Sequence, residues 1–174
     1  MDDLSRLVAL EAIRDLARRY AVALDARDLD ALVALYPEDV RATSGRSGRA
    51  ALREDFDRAL RRVGVTFLHV GNHVVDFVDD DHATGIVYCR GEIQDGGRQS
   101  DRWIIHTIQY HDTYARTGGT WHFARRKHLL VYGAELGANP ATLPPANWPA
   151  SQTGTGSVPH DLATWQRFWG IDPA

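Results

Sequence analysis

From residue 3 to residue 25 the apolar positions Leu7, Leu10, Ile13, Ala17, Tyr20 and Leu24 recur every three or four places, with Arg14, Arg18 and Arg19 between them. That period predicts an amphipathic helix. A short second helix is expected after Asp28, whose side chain suits a cap, and carries Leu29, Leu32, Val33 and Tyr36 until Pro37 ends the pattern. A third is expected over 49–62, with Leu52, Phe56, Leu60 and Val63 on one side and Gly64 as its stop. Beyond Gly64 the pattern changes to β-branched and aromatic residues. Four long strands are predicted at 65–78, 82–93, 98–116 and 120–132, separated by Asp79-Asp80-Asp81, Asp95-Gly96-Gly97 and Thr117-Gly118-Gly119. A short strand at 39–42 is added, and Gly71 and Gly91 are expected to mark bulges or bends. Helices first and an antiparallel meander after them predict an α+β fold.

In the third long strand Ile104, His106, Ile108, Tyr110, Asp112 and Tyr114 alternate with Trp103, Ile105, Thr107, Gln109, His111 and Thr113. In the fourth, His122, Ala124, Arg126, His128 and Leu130 alternate with Trp121, Phe123, Arg125, Lys127 and Leu129. Both faces mix aromatic, apolar and histidine residues, which predicts a sheet covered on both sides. Histidines such as His106 and His128 suit a wet or ligand-filled cavity better than a solid core. Residues 139–159 are rich in Pro, Ala, Ser, Thr and Gly, and predict an extended arm. Leu162, Trp165, Phe168 and Trp169 then return to helical spacing, so a short helix over 161–170 is expected to dock on the body or on a neighbouring subunit. The expected organisation is a main domain over 1–138 and an arm with a short aromatic helix over 139–174.

Composition narrows the function classes. The chain has 174 residues, 44% hydrophobic and 25% charged, which fits one globular domain. Its 20 basic and 23 acidic residues give a net charge of −3 without a long run of either sign, so a nucleic-acid role lacks electrostatic support. Cys89 stands alone and requires no oxidising compartment. The acidic start Met1-Asp2-Asp3 and the lack of an apolar stretch near the ~20 residues of a membrane span predict a cytoplasmic protein without a membrane partner.

Candidate chemistry gathers at Tyr20 and Asp25, late in the first helix, and at His69 and His73 on the first strand. A carboxylate that accepts the Nδ1 proton of a histidine leaves Nε2 free to act as a base. The alternative for Asp25 is to cap the turn that follows it. Five residues of helix turn Tyr20 and Asp25 apart by about 140°, so they share a face only if the helix ends or bends near Leu24. His69 and His73 lie about 13 Å apart along a strand, too far to hold one ion, and a bulge at Gly71 would turn them to opposite faces. No metal and no other cofactor is expected.

Tyr20-Ala-Val-Ala-Leu-Asp25, Asp28 to Tyr36, His69-Val-Gly-Asn72-His73, Ala83 to Cys89, and Tyr110 to Arg126 together resemble the SnoaL-like group of the nuclear transport factor 2-like superfamily, over about 3–135. The resemblance implies a cone-shaped α+β barrel: three N-terminal helices packed on a strongly curved, mostly antiparallel sheet that encloses a pocket. In dehydratases and a dehydrochlorinase of that group, an Asp near the end of the first helix pairs with a strand His. Asp25 and His69 stand at those positions, and Tyr20 resembles a dehydratase tyrosine. His106 resembles a second pocket histidine, Arg126 or His128 a deep cationic group, and Tyr36 and His73 complete the expected substrate contacts. The implied activity is a cofactor-independent, dehydratase-like elimination on a small cyclic or aromatic hydrophobic substrate, with His69 as base and Asp25 as its orienter. The alternatives are an isomerase, polyketide cyclase or retro-aldol C–C lyase in the same pocket, or a non-catalytic binding or assembly module. A homo-oligomer, dimer or trimer, is expected.

Overall fold

In the computed structural model, which describes residues 1–142 and 158–172, three helices precede one sheet. They are α1 (Asp3–Asp25), α2 (Leu29–Ala34) and α3 (Arg49–Leu60). The strands are β1 (Val63–Phe77), β2 (His82–Asp95), β3 (Trp103–Thr117) and β4 (Thr120–Leu136), in spatial order β1-β2-β3-β4 and antiparallel throughout. Asp2 caps α1 by accepting from the Ser5 amide at 2.8 Å, and Asp28 caps α2 by accepting from the Ala31 amide at 3.0 Å. The turns before β3 and β4 hold Gly96, Gly97, Gly118 and Gly119 at positive φ, where a side chain would be strained.

The helices cover the concave face of the curved sheet. Ile13, Leu16 and Tyr20 of α1, with Leu32 and Leu52, meet Ala83, Tyr114 and Phe123 in the main core. A second cluster joins Ala17 to Val87, Cys89, Ile108 and Tyr110. Within the single chain the cover expected on both sides is present on one only: Phe67, Ile86 and Tyr88 on the convex face are exposed.

Several boundaries differ from expectation. The helix predicted over 49–62 ends at Leu60, and Gly64 is not its stop but lies inside β1 against the Gln94 side chain. The third strand begins at Trp103 and not near 98, because the Gln94 amide ties the carbonyls of Arg98 and Ser100 into a turn. The short strand at 39–42 reduces to a single bridge between Arg41 and Ser47. Gly91 carries no bulge and pairs regularly with Leu68; a Cβ there would lie 3.2 Å from the Leu68 side chain. Gly71 does lie in a bulge: Val70 faces Cys89 and His73 faces Val87, so Gly71 and Asn72 stand against Tyr88 alone, two residues against one.

The last helix, α4 (Ala163–Trp169), packs on the body of its own chain. Trp165 is fully buried under the Arg27 guanidinium at 4.9 Å, and the Thr164 hydroxyl donates to the Ala26 carbonyl at 2.8 Å. Most of the predicted arm, 143–157, lies outside the described residues. Among the described residues no helix is long and apolar enough to cross a membrane.

Candidate active site

A cavity of about 640 Å³ opens between α1, the α2–α3 region and the concave faces of β3 and β4. That is the size of a small-molecule site. Tyr20, Tyr36, Phe56 and Tyr110 give it an aromatic side, Arg126 and His128 line it from β4, and Arg41, Asp55 and Arg125 add further charged groups.

Arg126 is held from several sides. Its Nε donates to Asp112 Oδ1 at 3.0 Å and its terminal amine to Asp112 Oδ2 at 2.7 Å, with the two side chains 5% and 0% exposed. The rings of Tyr20, Tyr110 and Phe123 lie 4.4, 4.2 and 4.3 Å from the guanidinium carbon. Burial works to lower the Arg126 pKa, and the Asp112 hydrogen bonds and charge more than reverse it, so the cation is secure. Asp112 also accepts from the Tyr114 hydroxyl at 2.9 Å, and that hydroxyl meets His73 Nε2 at 3.0 Å.

Burial raises the pKa of Tyr20 and drives that of Tyr36 well up, so both phenols stay protonated near neutrality. Burial, and then the nearby His106, push His128 down, which leaves its imidazole neutral and basic at pH 7. A neutral base, a fixed cation and phenol donors around one cavity can abstract a proton and stabilise charge that develops on a substrate oxygen or leaving group.

The expected partnership of Asp25 with His69 is corrected. Asp25 accepts from the Thr66 hydroxyl at 2.7 Å and the Leu68 amide at 2.8 Å, which ties α1 to β1. His69 is exposed, on the strand face opposite Thr66 and Leu68. The cause is pleat phase: 66, 68 and 70 point inward before the bulge, and 73, 75 and 77 after it. His73 therefore faces inward, and the two histidines point to opposite faces. Nor do Tyr20 and Asp25 converge. The helix runs on to Asp25, and Tyr20 faces the cavity while Asp25 faces β1.

Burial raises Asp25 to about 6 against its two hydrogen bonds. Arg27, at a φ of 57°, buries its guanidinium beneath α4, donates to the Leu24 carbonyl at 2.6 Å and the Thr66 hydroxyl at 2.9 Å, and also bonds the Gly64 carbonyl. His106 sits on the concave face opposite Gly91 and Gly133, outside the residues that line the cavity. Among the described residues no group of three metal-ligating side chains comes together.

Asp112, Tyr114 and Tyr110 were missed as a unit. Strand alternation alone puts them on the face of His106, and an aspartate flanked by tyrosines at inward positions was the available signal.

The SnoaL-like domain family matches residues 5–127. The chain belongs to that family. Among solved structures, this SnoaL-like chain is similar to a proposed scytalone dehydratase from Novosphingobium aromaticivorans, at 25% identity and a TM-score of 0.63, over 80% of this chain and 97% of that one. A proposed aromatic ring hydroxylase from the same species matches at 25% identity and a TM-score of 0.62, over 72% and 91%. The type 3 hexachlorocyclohexane dehydrochlorinase of Novosphingobium barchaimii shares the fold at 22% identity and a TM-score of 0.68, over 78% and 95%. No curated protein matches the sequence. The SnoaL-like fold is thus shared by neighbours whose names describe different reactions, and the reaction has to be argued from the cavity.

Proposed function

We propose that this SnoaL-like protein is a cofactor-independent lyase that eliminates water or another leaving group from a small cyclic or aromatic hydrophobic substrate. The observation that carries the reading is the cavity of about 640 Å³ with aromatic walls, in which Arg126 and His128 project from one strand. His128 takes the substrate proton. Arg126 and the Tyr20 hydroxyl stabilise the charge that develops on the oxygen or leaving group, and Tyr36, Phe56 and Tyr110 hold the apolar body. The dehydratase and dehydrochlorinase names of two neighbours favour elimination over the other uses of such a pocket.

The test is a panel of cyclic β-hydroxy ketones and chlorinated cycloalkanes, followed by absorbance of the conjugated product and by chloride release. Turnover is expected, and His128→Ala should lower it by about 10²-fold or more, the usual worth of a positioned base. Full activity in His128→Ala would remove that residue from the mechanism. Binding of panel compounds without turnover of any would favour the non-catalytic binding module. The proposal includes self-association through the convex face, where Phe67, Ile86, Tyr88 and Tyr132 are exposed. Sedimentation should then show a dimer or trimer, and a monomer at every concentration tested would remove that part.

A further inference from the structure

We propose that His73 is a positioning residue for the cavity: its Nε2–H, acting through the Tyr114 hydroxyl and the Asp112 carboxylate, fixes the orientation in which Arg126 meets a ligand. The inference rests on the reading of the cavity as the working site.

The direction of the chain follows from its far end. A carboxylate only accepts, so Asp112 takes hydrogen bonds from Arg126 and from the Tyr114 hydroxyl, 2.9 Å away. The one hydroxyl proton of Tyr114 is thereby committed. The 3.0 Å contact between Tyr114 and His73 can then be made only by His73 Nε2–H donating to the phenol oxygen. In the neutral ring this leaves Nδ1 as a bare acceptor, and among the described residues Nδ1 is buried without a hydrogen-bond partner. A proton there would point at no acceptor.

The surroundings keep the ring neutral. Burial, together with the cations Arg126 of β4 and Arg14 and Arg18 of α1, outweighs the attraction of Asp112 on β3 and depresses the imidazole to about 4. His73 thus stays a one-way donor across the neutral range.

Two features of the backbone exist at this contact. The bulge between Val70 and His73 turns the imidazole to the concave face. Gly85, on the strand between β1 and β3, leaves the gap that the contact crosses: a Cβ there would lie 3.2 Å from His73 Nε2 and 3.0 Å from the Tyr114 ring. The His73 ring also lines a separate cleft of about 280 Å³ with Arg14, Arg18, Val70 and Gly71. Arg126 is therefore oriented by a residue that does not line the cavity itself.

The experiment uses the full chain labelled with ¹⁵N, as wild type, His73→Leu and His73→Gln; glutamine keeps an N–H donor near the Nε2 position. The readouts are the imidazole ¹⁵N pattern of His73, the Arg126 Nε–H resonance (assigned by its loss in Arg126→Lys), and the affinity for 4-nitrophenol as an aromatic probe. We expect the neutral Nε2–H tautomer at pH 7 and a sharp Arg126 Nε–H in wild type and His73→Gln, broadened or shifted in His73→Leu. Probe affinity should fall about fivefold in His73→Leu, the worth of roughly one hydrogen bond, and return in His73→Gln. An Nδ1–H tautomer, an imidazolium at pH 7, or an unchanged Arg126 signal in His73→Leu would overturn the proposal. If His73→Leu does not fold, the wild-type tautomer and the His73→Gln spectrum decide. An Arg126 signal that responds as expected in a protein that binds no probe would uphold the positioning role and reject the cavity as the site.

Discussion

Burial acts with opposite sign on Asp25 and His73. It raises Asp25 from 3.8 to about 6, so between those values the folded protein holds more protons than the unfolded chain and this group's contribution to stability falls as pH rises. It lowers His73 from 6.5 to about 4, so over nearly the same interval the unfolded chain holds more protons and the contribution rises with pH. In wild type the two slopes oppose each other. Relative to wild type, urea midpoints from about pH 4 to about pH 6.5 should therefore lose ground with rising pH in His73→Gln, which keeps the Asp25 slope, and gain ground in Asp25→Asn, which keeps the His73 slope. Parallel profiles in the two variants would contradict these assignments. At this scale the sequence identifies the chemically important residue types and mistakes their partners. Asp25 was expected to meet His69, yet a side chain's partner depends on pleat phase, and one extra residue between Val70 and His73 sets that phase.

Among the elements, α4 was legible because Trp165, Phe168 and Trp169 are too apolar to leave in solvent at helical spacing. What it docks on was not legible. Arg27 reads as part of a polar turn, and only its left-handed backbone, at a φ of 57°, turns the guanidinium inward against the Trp165 ring. Arg61 and Arg98 add to the clasp, 4.6 Å from the Phe168 ring and 4.7 Å from the Trp169 ring. Because Trp165 is 0% exposed, Trp165→Ala should cost about 3–5 kcal/mol, the usual penalty for emptying a large aromatic site. Chemical denaturation checks this, and a loss below about 1 kcal/mol would mean that α4 contributes little to the fold. The tie of Asp25 to Thr66 and the clasp of Arg27 to Thr66 meet at one hydroxyl, so the end of α1, the start of β1 and α4 form one mechanical unit.

Across the whole molecule the α+β class, the order of helices and strands, and the antiparallel hairpins follow from periodicity and turn chemistry. The link between β1 and β3 does not. His73 and Tyr114 meet across β2, which requires knowing both the strand order and that the residue between them is Gly85. Gly85→Ala would bring a methyl group within 2.8 Å of the Val74 carbonyl oxygen, a backbone atom that cannot move alone. A loss of about 1–3 kcal/mol is expected, typical of overpacking, together with the Arg126 spectrum of His73→Leu. Thermal unfolding and the Arg126 Nε–H signal test the two parts separately. The bulge in β1 has a further consequence, for descent. A single-codon deletion between Val70 and His73 would realign one half of the strand with the other. It would leave two steps between Val70 and His73 in place of three, so His69 would stay outward and His73 inward; straightening the strand at unchanged length is what would exchange the two histidines. Relatives are then expected to tolerate the loss of that one residue while keeping the inward histidine at the place of His73.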